Sequence, residues 1–287
     1  MATFLQAVVN GIMTGGVYSL IGMGQNMIFG VMKIINFCQG DLLMLGMYLT
    51  YVLFEGFGLD PYVSIPLVAI IMFAFGALLQ SSLITPSLKS GNSSNLLFLT
   101  VGLGILLQNF ALIFFKSDYR TVNSVVIGKI VEFLGINISL SKLVSFVFLL
   151  IITGLLFFIL KHTTIGKQIR ATSQNPIGAS VSGIKTNLVY ACTYGIGAGI
   201  AGIAGALLMS FYYVFPTVGT VYGTRGYIVV VIGGLRSVTG AFVAGIVLGL
   251  LETLGALLVG PSFKDTVVFL SFIIILVVRQ NLKLRHQ

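Results

Sequence analysis

The feature that most constrains this chain is a series of long apolar runs separated by short polar loops. A bilayer core of ~30 Å is crossed by about 20 apolar helical residues. The six clearest runs of this kind cover residues 7–29, 62–84, 96–115, 143–160, 188–213 and 238–259. Three shorter apolar segments cover residues 40–54, 227–235 and 266–279. The pattern predicts an all-α, polytopic helical membrane protein.

Composition excludes a soluble globular protein. Hydrophobic residues make up 57% of the chain and charged residues 8%, and the mean hydropathy is +1.06, whereas ordinary soluble domains are about 25% charged. No polar segment is long enough to fold separately, so residues 1–287 are predicted to form one transmembrane domain. The net charge of +9 comes from short loops between apolar runs. It therefore fits the positive-inside bias of membrane proteins and does not indicate a nucleic-acid partner.

The short segment at 227–235 decides the topology. At ~1.5 Å per residue it cannot cross a bilayer alone, and it ends in Gly233-Gly234 before Arg236. We expect a broken or re-entrant helix that enters from the outer side, in addition to about eight full spans. If this segment is counted as a crossing, the polar segment at 161–187 and the C-terminus lie on the same face of the membrane. Ten of the 16 basic residues then lie on that face, which we assign to the cytoplasm, and the N-terminus is external.

Glycine is abundant, with 35 residues, and several glycines recur at a spacing of four. Small residues at this spacing let helix backbones approach closely. The pairs are Gly11 with Gly15, Gly195 with Gly199, Ala201 with Gly205, and Gly245 with Gly249. We expect tight packing of a rigid bundle; a sliding interface for alternating access is the alternative.

Polar residues inside apolar runs are candidates for a translocation pathway. Glu252 and Asp41 carry ionisable groups, which are expensive in lipid. Glu252 has no evident buried base facing it, so its alternative role is that of a hydrogen-bonded carboxylate near a membrane end. Uncharged amides also form hydrogen bonds between helices, and this is the alternative role for the asparagines and glutamines. The candidate pathway residues are Asn36, Gln39, Gln108, Asn109, Gly233, Gly234 and Glu252.

Motifs for enzymatic chemistry are missing from the sequence. Neither Gly128-Lys129 nor Gly166-Lys167 lies in a P-loop motif. His162 and His286 have no nucleophile or carboxylate motif beside them, and the two cysteines suggest neither a metal site nor a disulfide. We therefore expect a protein that is not itself an enzyme and binds no cofactor.

The polar segment at 161–187 has signals for two short helices. Thr163 or Thr164 can cap a helix that starts near Ile165. Ser173 or Asn175, followed by Pro176, can begin a second helix, and Gly183 can end it. We interpret the segment as a compact element on which another protein acts; the alternative is a basic loop that only sets topology.

Three stretches resemble one known family. The run Thr164, Gly166, Arg170, Ala171, Gln174-Asn175-Pro176, Ala179 and Gly183-Ile184 resembles the cytoplasmic coupling loop of branched-chain amino acid (Liv-type) ABC transporter permeases. Residues 30–40 with 44–48 resemble the family signature after the first helix. Residues 233–241, leading to Gly249 and Glu252, resemble its C-terminal glycine-rich motif. The matches follow the family order along nearly the whole chain. Cys38 and Gln39 depart from the usual alanine and histidine, and Arg236 from a frequent glycine.

The resemblance implies a type II importer-like permease in the bacterial cell (inner or plasma) membrane. Such a permease moves a small polar solute inward by alternating access. Its implied partners are membrane lipid, a second permease (a related chain or the same chain), two cytoplasmic ATP-binding subunits that hold ATP and Mg, and an extracytoplasmic substrate-binding protein. Branched-chain or related amino acids are the expected solutes, while urea, short amides and nucleosides stay open.

The residues implied to couple the permease to the ATPase are Thr164, Gly166, Arg170, Ala171, Asn175, Pro176, Ala179 and Gly183. A secondary active transporter or a channel remains the alternative function. A secondary transporter is expected to show paired intramembrane charges or two matched broken helices, and the sequence shows one broken segment.

Overall fold

The computed structural model describes residues 2–89, 93–124, 126–133 and 136–284, and it is a helical bundle. His286 and the predicted cytoplasmic tail residue Arg285 lie outside this part. The helices are α1 (Ala2–Met32), α2 (Gln39–Phe57), α3 (Pro61–Leu79), α4 (Thr85–Lys89), α5 (Ser93–Phe115), α6 (Leu140–His162), α7 (Thr164–Gln174), α8 (Pro176–Val181), α9 (Thr186–Met209), α10 (Val218–Gly233), α11 (Val238–Val259) and α12 (Lys264–Leu284). A π-helical turn, Gln80–Ile84, joins α3 to α4.

Seven helices in the described residues are long and apolar enough to cross a membrane. Another helix, α2, has 19 residues and starts with the polar residues Gln39 and Asp41. A shorter apolar helix, α10, has 16 residues. The predicted polytopic helical class is therefore confirmed. A small antiparallel hairpin of β1 (Ile130–Phe133) and β2 (Ile136–Ser139) was not predicted.

The short helix α10 begins nine residues earlier than predicted, at Val218 instead of residue 227. Its first half is rich in glycine, a composition that is typical of loops. In the bundle those glycines are contact points: a Cβ on Gly40 would lie 1.9 Å from the Gly219 carbonyl oxygen and 2.7 Å from the Gly223 Cα. The beginning of α10 is therefore helical because it packs directly against the first turn of α2.

The predicted close packing of small residues is confirmed between α1 and α11. A Cβ on Gly249 would lie 2.3 Å from the Gly11 carbonyl oxygen, and one on Gly15 would lie 2.6 Å from that of Gly245. One turn further along, Ser19 Oγ donates to the Phe242 carbonyl at 2.7 Å. These contacts hold the two helix backbones in van der Waals contact along their length.

The two ends of the bundle carry different elements. Gln6, near the start of α1, donates to the Asn137 carbonyl in the hairpin at 2.6 Å. The next helix, α6, starts directly after this hairpin and ends at the polar segment. The N-terminus and the polar segment therefore lie on opposite faces, as predicted. Asn26, toward the other end of α1, donates to the Gly234 carbonyl at 3.2 Å, so α10 ends on the face of the polar segment.

Candidate functional site

Helices α7 and α8 form a compact helix-turn-helix, which we call the knob (residues 163–183). The Thr163 hydroxyl accepts the Gly166 backbone N–H at 3.1 Å and caps α7. The Asn175 side chain accepts the Gly178 N–H at 3.0 Å and caps α8. Pro176 occupies the first turn of α8, and Gly183 adopts a left-handed conformation with φ of 84°. The predicted pair of short capped helices is confirmed.

The knob is seated on the end of α6. A Cβ on Gly166 would lie 2.4 Å from the Ile159 and Leu160 carbonyl oxygens, so only glycine fits this approach. Arg170 donates through Nη1 to the Leu160 carbonyl. Ala179, another predicted coupling residue, is buried. Several of the predicted residues therefore fix the shape of the knob instead of presenting a surface.

Helix α8 carries two strongly exposed apolar side chains, and the sequence interpretation missed this. Ile177 is 78% exposed and Val181 is 85% exposed, and they lie one turn apart on α8. Residues four apart share a face of a helix. The signal available in the sequence was this apolar pair inside an otherwise polar segment.

A cavity of about 380 Å³ lies between α7 of the knob and the ends of α1 and α6. Arg170 and Arg236 line it, together with residues of α1 and the start of α11. The Arg236 backbone N–H donates to Asn26 Oδ1 at 3.2 Å, and Arg236 has a left-handed φ of 75°. Asn26 thus joins α1 to the turn before α11 directly beside the knob.

The predicted pathway amides Asn36 and Gln39 lie in a buried hydrogen-bond network. Asn36 Nδ2 donates to Gln39 Oε1 at 3.0 Å, and the Tyr194 hydroxyl donates to Asn36 Oδ1 at 3.1 Å. Gln39 Nε2 donates to the Gly197 carbonyl at 3.0 Å. Since Gly197 is in the middle of α9, the network starts α2 halfway through the bundle. Both amides are fully buried and serve as connections between helices.

A cleft of about 340 Å³ lies next to this network, between the first turn of α2, α5 and α10. Its lining residues include Phe37, Asp41, Val101, Gly104, Ile105, Gln108, Gly219, Thr220, Gly223, Thr224 and Tyr227. Gln108 Nε2 donates to Asp41 Oδ1 at 2.8 Å and to the Thr220 hydroxyl at 3.2 Å. The cleft therefore combines one carboxylate, an amide and hydroxyls with apolar side chains.

The other predicted pathway residues do not line this cleft. Asn109 donates to the Ile105 carbonyl of its own helix at 2.7 Å. A Cβ on Gly233 would lie 2.5 Å from the Gly240 carbonyl oxygen, and Gly234, with φ of 89°, forms the turn after α10. These two glycines allow the sharp connection between α10 and α11.

Glu252 is buried and is held by two cations. Arg225 Nη2 is 3.3 Å and Lys264 Nζ is 2.6 Å from Glu252 Oε1. The expectation that no base faces this carboxylate was wrong. The short helix was predicted to begin at residue 227, after Arg225, and pairing between separate helices leaves no local signal in the sequence.

Comparison with known proteins identifies relatives along most of the chain. Residues 7–278 match the family model described as branched-chain amino acid transport system / permease component. The chain is 31% identical over 293 residues to the high-affinity branched-chain amino acid transport system permease protein BraD of Pseudomonas aeruginosa, covering 96% of this chain and 94% of BraD. It is 31% identical over 291 residues to the permease protein LivH of Escherichia coli (strain K12), covering 96% and 93%. No solved structure matches the chain.

Proposed function

The chain belongs to the branched-chain amino acid transport permease family, and we propose that it is the permease subunit of an ATP-driven importer of branched-chain or related amino acids. It is a multi-pass membrane protein. The relatives BraD and LivH carry the name of high-affinity branched-chain amino acid transport system permeases, which supports the substrate class. Its sequence contains no P-loop motif, so in this proposal two separate cytoplasmic subunits bind ATP and Mg.

The exposed apolar pair on the knob is the observation that carries the proposal. Ile177 and Val181 extend from the end of the bundle with no covering residues in the described chain. A few well-packed side chains near the centre of a protein–protein contact contribute most of its binding energy. We assign this surface to a groove on the ATP-binding subunit, which places the knob in the cytoplasm.

Movement of the knob would be transmitted directly to the membrane helices. Gly166 and Arg170 fix α7 to the end of α6, and the cavity lined by Arg170 and Arg236 adjoins α1 and α11. Since α1 and α11 are packed backbone to backbone, they move together when they are pushed. Closure of the ATPase pair would then select one of two arrangements of the bundle and switch access to the cleft.

The cleft needs a cover on its exposed side. Thr220 is exposed, and Gln108 beside it is half-buried. Polar groups at membrane depth are tolerated where protein or a water-filled cavity surrounds them. A second permease subunit, either a related chain or a second copy, would complete the walls of this pathway. The extracytoplasmic binding protein would deliver its amino acid on the face that carries the β1–β2 hairpin.

The test is co-purification of the tagged chain with an ATP-binding subunit from its native membrane. Ile177→Asp and Val181→Asp are expected to abolish the association, because each buries a charge in an apolar contact. Ile177→Leu keeps the apolar surface and serves as the matched control. The proposal predicts recovery of the ATPase with the wild type and with Ile177→Leu only. Equal recovery with the two Asp variants would contradict the assignment of the knob.

A further inference from the structure

Asp41 is a buried carboxylate with little compensation for its charge. Its side chain lines the cleft although the residue is only 4% exposed. Its side-chain hydrogen bond is with Gln108, at 2.8 Å, and among the described residues no lysine, arginine or histidine forms an ion pair with it. Glu252, the other buried acid, has two cations. An acid at membrane depth without a cation is expected to have a functional partner.

The position of Asp41 partly compensates its negative charge. It lies in the first turn of α2, where the helix dipole favours negative charge. Gly104 and Gly219 surround the carboxylate without side chains, since a Cβ on either would lie 2.5 Å or 2.6 Å from one of its oxygens. Because these two neighbours have no side chains, the carboxylate lies beside their backbone atoms, and the cleft next to it is not filled.

The rest of the cleft is suited to a small aliphatic group. Val101 and Ile105 of α5 and the ring of Phe37 contribute apolar walls. The volume of about 340 Å³ is in the range of small-molecule sites. A carboxylate beside an apolar wall matches an aliphatic amino acid, which presents an ammonium group next to a hydrocarbon side chain.

We propose that Asp41 binds the α-ammonium group of the transported amino acid, while Val101 and Ile105 contact its hydrocarbon side chain. This inference rests on the proposed function, and it makes Asp41 the residue of the permease that selects an amino acid over the corresponding uncharged or acidic molecule. Gln108 is the positioning residue, because its amide holds the carboxylate in place through Oδ1.

The first test measures leucine uptake by the intact transport complex. Asp41→Asn keeps the shape and removes the charge, and uptake is expected to fall on the order of thirtyfold or more. Asp41→Glu keeps the negative charge and should retain part of the wild-type uptake. Glu55→Gln is the matched control, because it neutralises an exposed acid on the same helix outside the cleft. Assembly with the partner subunits is measured for every variant, and normal assembly is expected.

The second test measures binding at the permease itself, without the binding protein. Val101→Cys places a thiol in the cleft, in a Cys192→Ala background that leaves only the buried Cys38. Leucine is expected to slow alkylation of this thiol by a maleimide. The probe 4-methylpentanoate, which has the same hydrocarbon and no ammonium group, should give no protection. With Asp41→Asn added, leucine protection should also be lost.

Three results would overturn the inference. They are equal protection by leucine and 4-methylpentanoate, full leucine uptake with Asp41→Asn, and loss of subunit assembly with Asp41→Asn, which would show that the carboxylate pairs with a cation of the second permease. Failure of the proposed function itself would give a different result from these three. The wild-type complex would then take up no leucine, whatever the alkylation experiment shows.

Discussion

Arg225 on α10 and Glu252 on α11 form a buried ion pair, with Nη2 of the arginine 3.3 Å from Oε1 of the carboxylate. Lys264, at the start of α12, reaches the same oxygen at 2.6 Å, and Asp265 approaches Arg225 at 2.7 Å. The Glu252 side chain is only 1% exposed. The network therefore connects three helices near one end of the bundle and keeps α10 in place beside the cleft.

Glu252→Gln is predicted to destabilise the protein by about 3 kcal/mol, because breaking a buried pair leaves cations without their partner. Thermal unfolding in detergent measures the effect. The control is Asp118→Asn, which breaks the exposed pair with Arg120 and should change the free energy of unfolding by less than about 1 kcal/mol. Similar small effects for both variants would show that the Arg225–Glu252 pair does not hold the helices together.

Gly40→Ala is predicted to disrupt the contact between α2 and α10. The added Cβ would lie 1.9 Å from the Gly219 carbonyl oxygen, and overpacking of this kind costs on the order of 3 kcal/mol. Gly56→Ala, on the same helix, meets no atom within 4 Å and is the matched control. We expect lower thermal stability and lower uptake for Gly40→Ala alone. An unchanged unfolding temperature for Gly40→Ala would contradict the described contact.

Arg236→Gly is predicted to be more stable than Arg236→Ala. Position 236 has a φ of 75°, which costs a residue with a Cβ about 1–2 kcal/mol and costs glycine little. Both variants lose the same guanidinium group, so the difference in their stability reports only the cost of the left-handed backbone conformation. Comparison of their unfolding temperatures is the measurement, and equal temperatures would mean that the left-handed turn is not strained.

Asn175→Ala is predicted to loosen α8 without unfolding the bundle. The side chain caps the helix by accepting the Gly178 N–H, and loss of such a cap costs about 1 kcal/mol. Hydrogen exchange of the α8 amides should therefore become about fivefold faster. Asn175→Ser keeps a good capping residue and should exchange at nearly the wild-type rate. Identical exchange in all three proteins would rule out the cap as a source of knob stability.

Local patterns in the sequence predicted the spans and the knob. The apolar runs have the length that a bilayer requires, and the knob depends on capping residues that lie within a few positions of each other, such as Asn175 and Pro176. These features need no information about distant parts of the chain. The substrate class and the partner subunits came from the resemblance to the family.

The features that the sequence did not reveal depend on contacts between distant residues. The early start of α10 requires Gly40 of α2 to meet Gly219, and the role of Glu252 requires Arg225, 27 residues away. Asn36 and Gln39 are amides that the sequence offers both as pathway residues and as connections between helices, and only the fold shows that they form hydrogen bonds with α9. Asp41 was noticed as an acid in a span, but the cleft beside it is formed by three separate helices.

The measurement that tests the account most directly is leucine uptake into proteoliposomes that contain the complex purified through this chain. We predict uptake that requires ATP with Mg on the side of the knob, that is stimulated by the binding protein, and that is lost with Ile177→Asp. An ion gradient without ATP should drive no uptake. Uptake by the chain alone on a proton or sodium gradient would contradict the importer assignment and identify a secondary transporter.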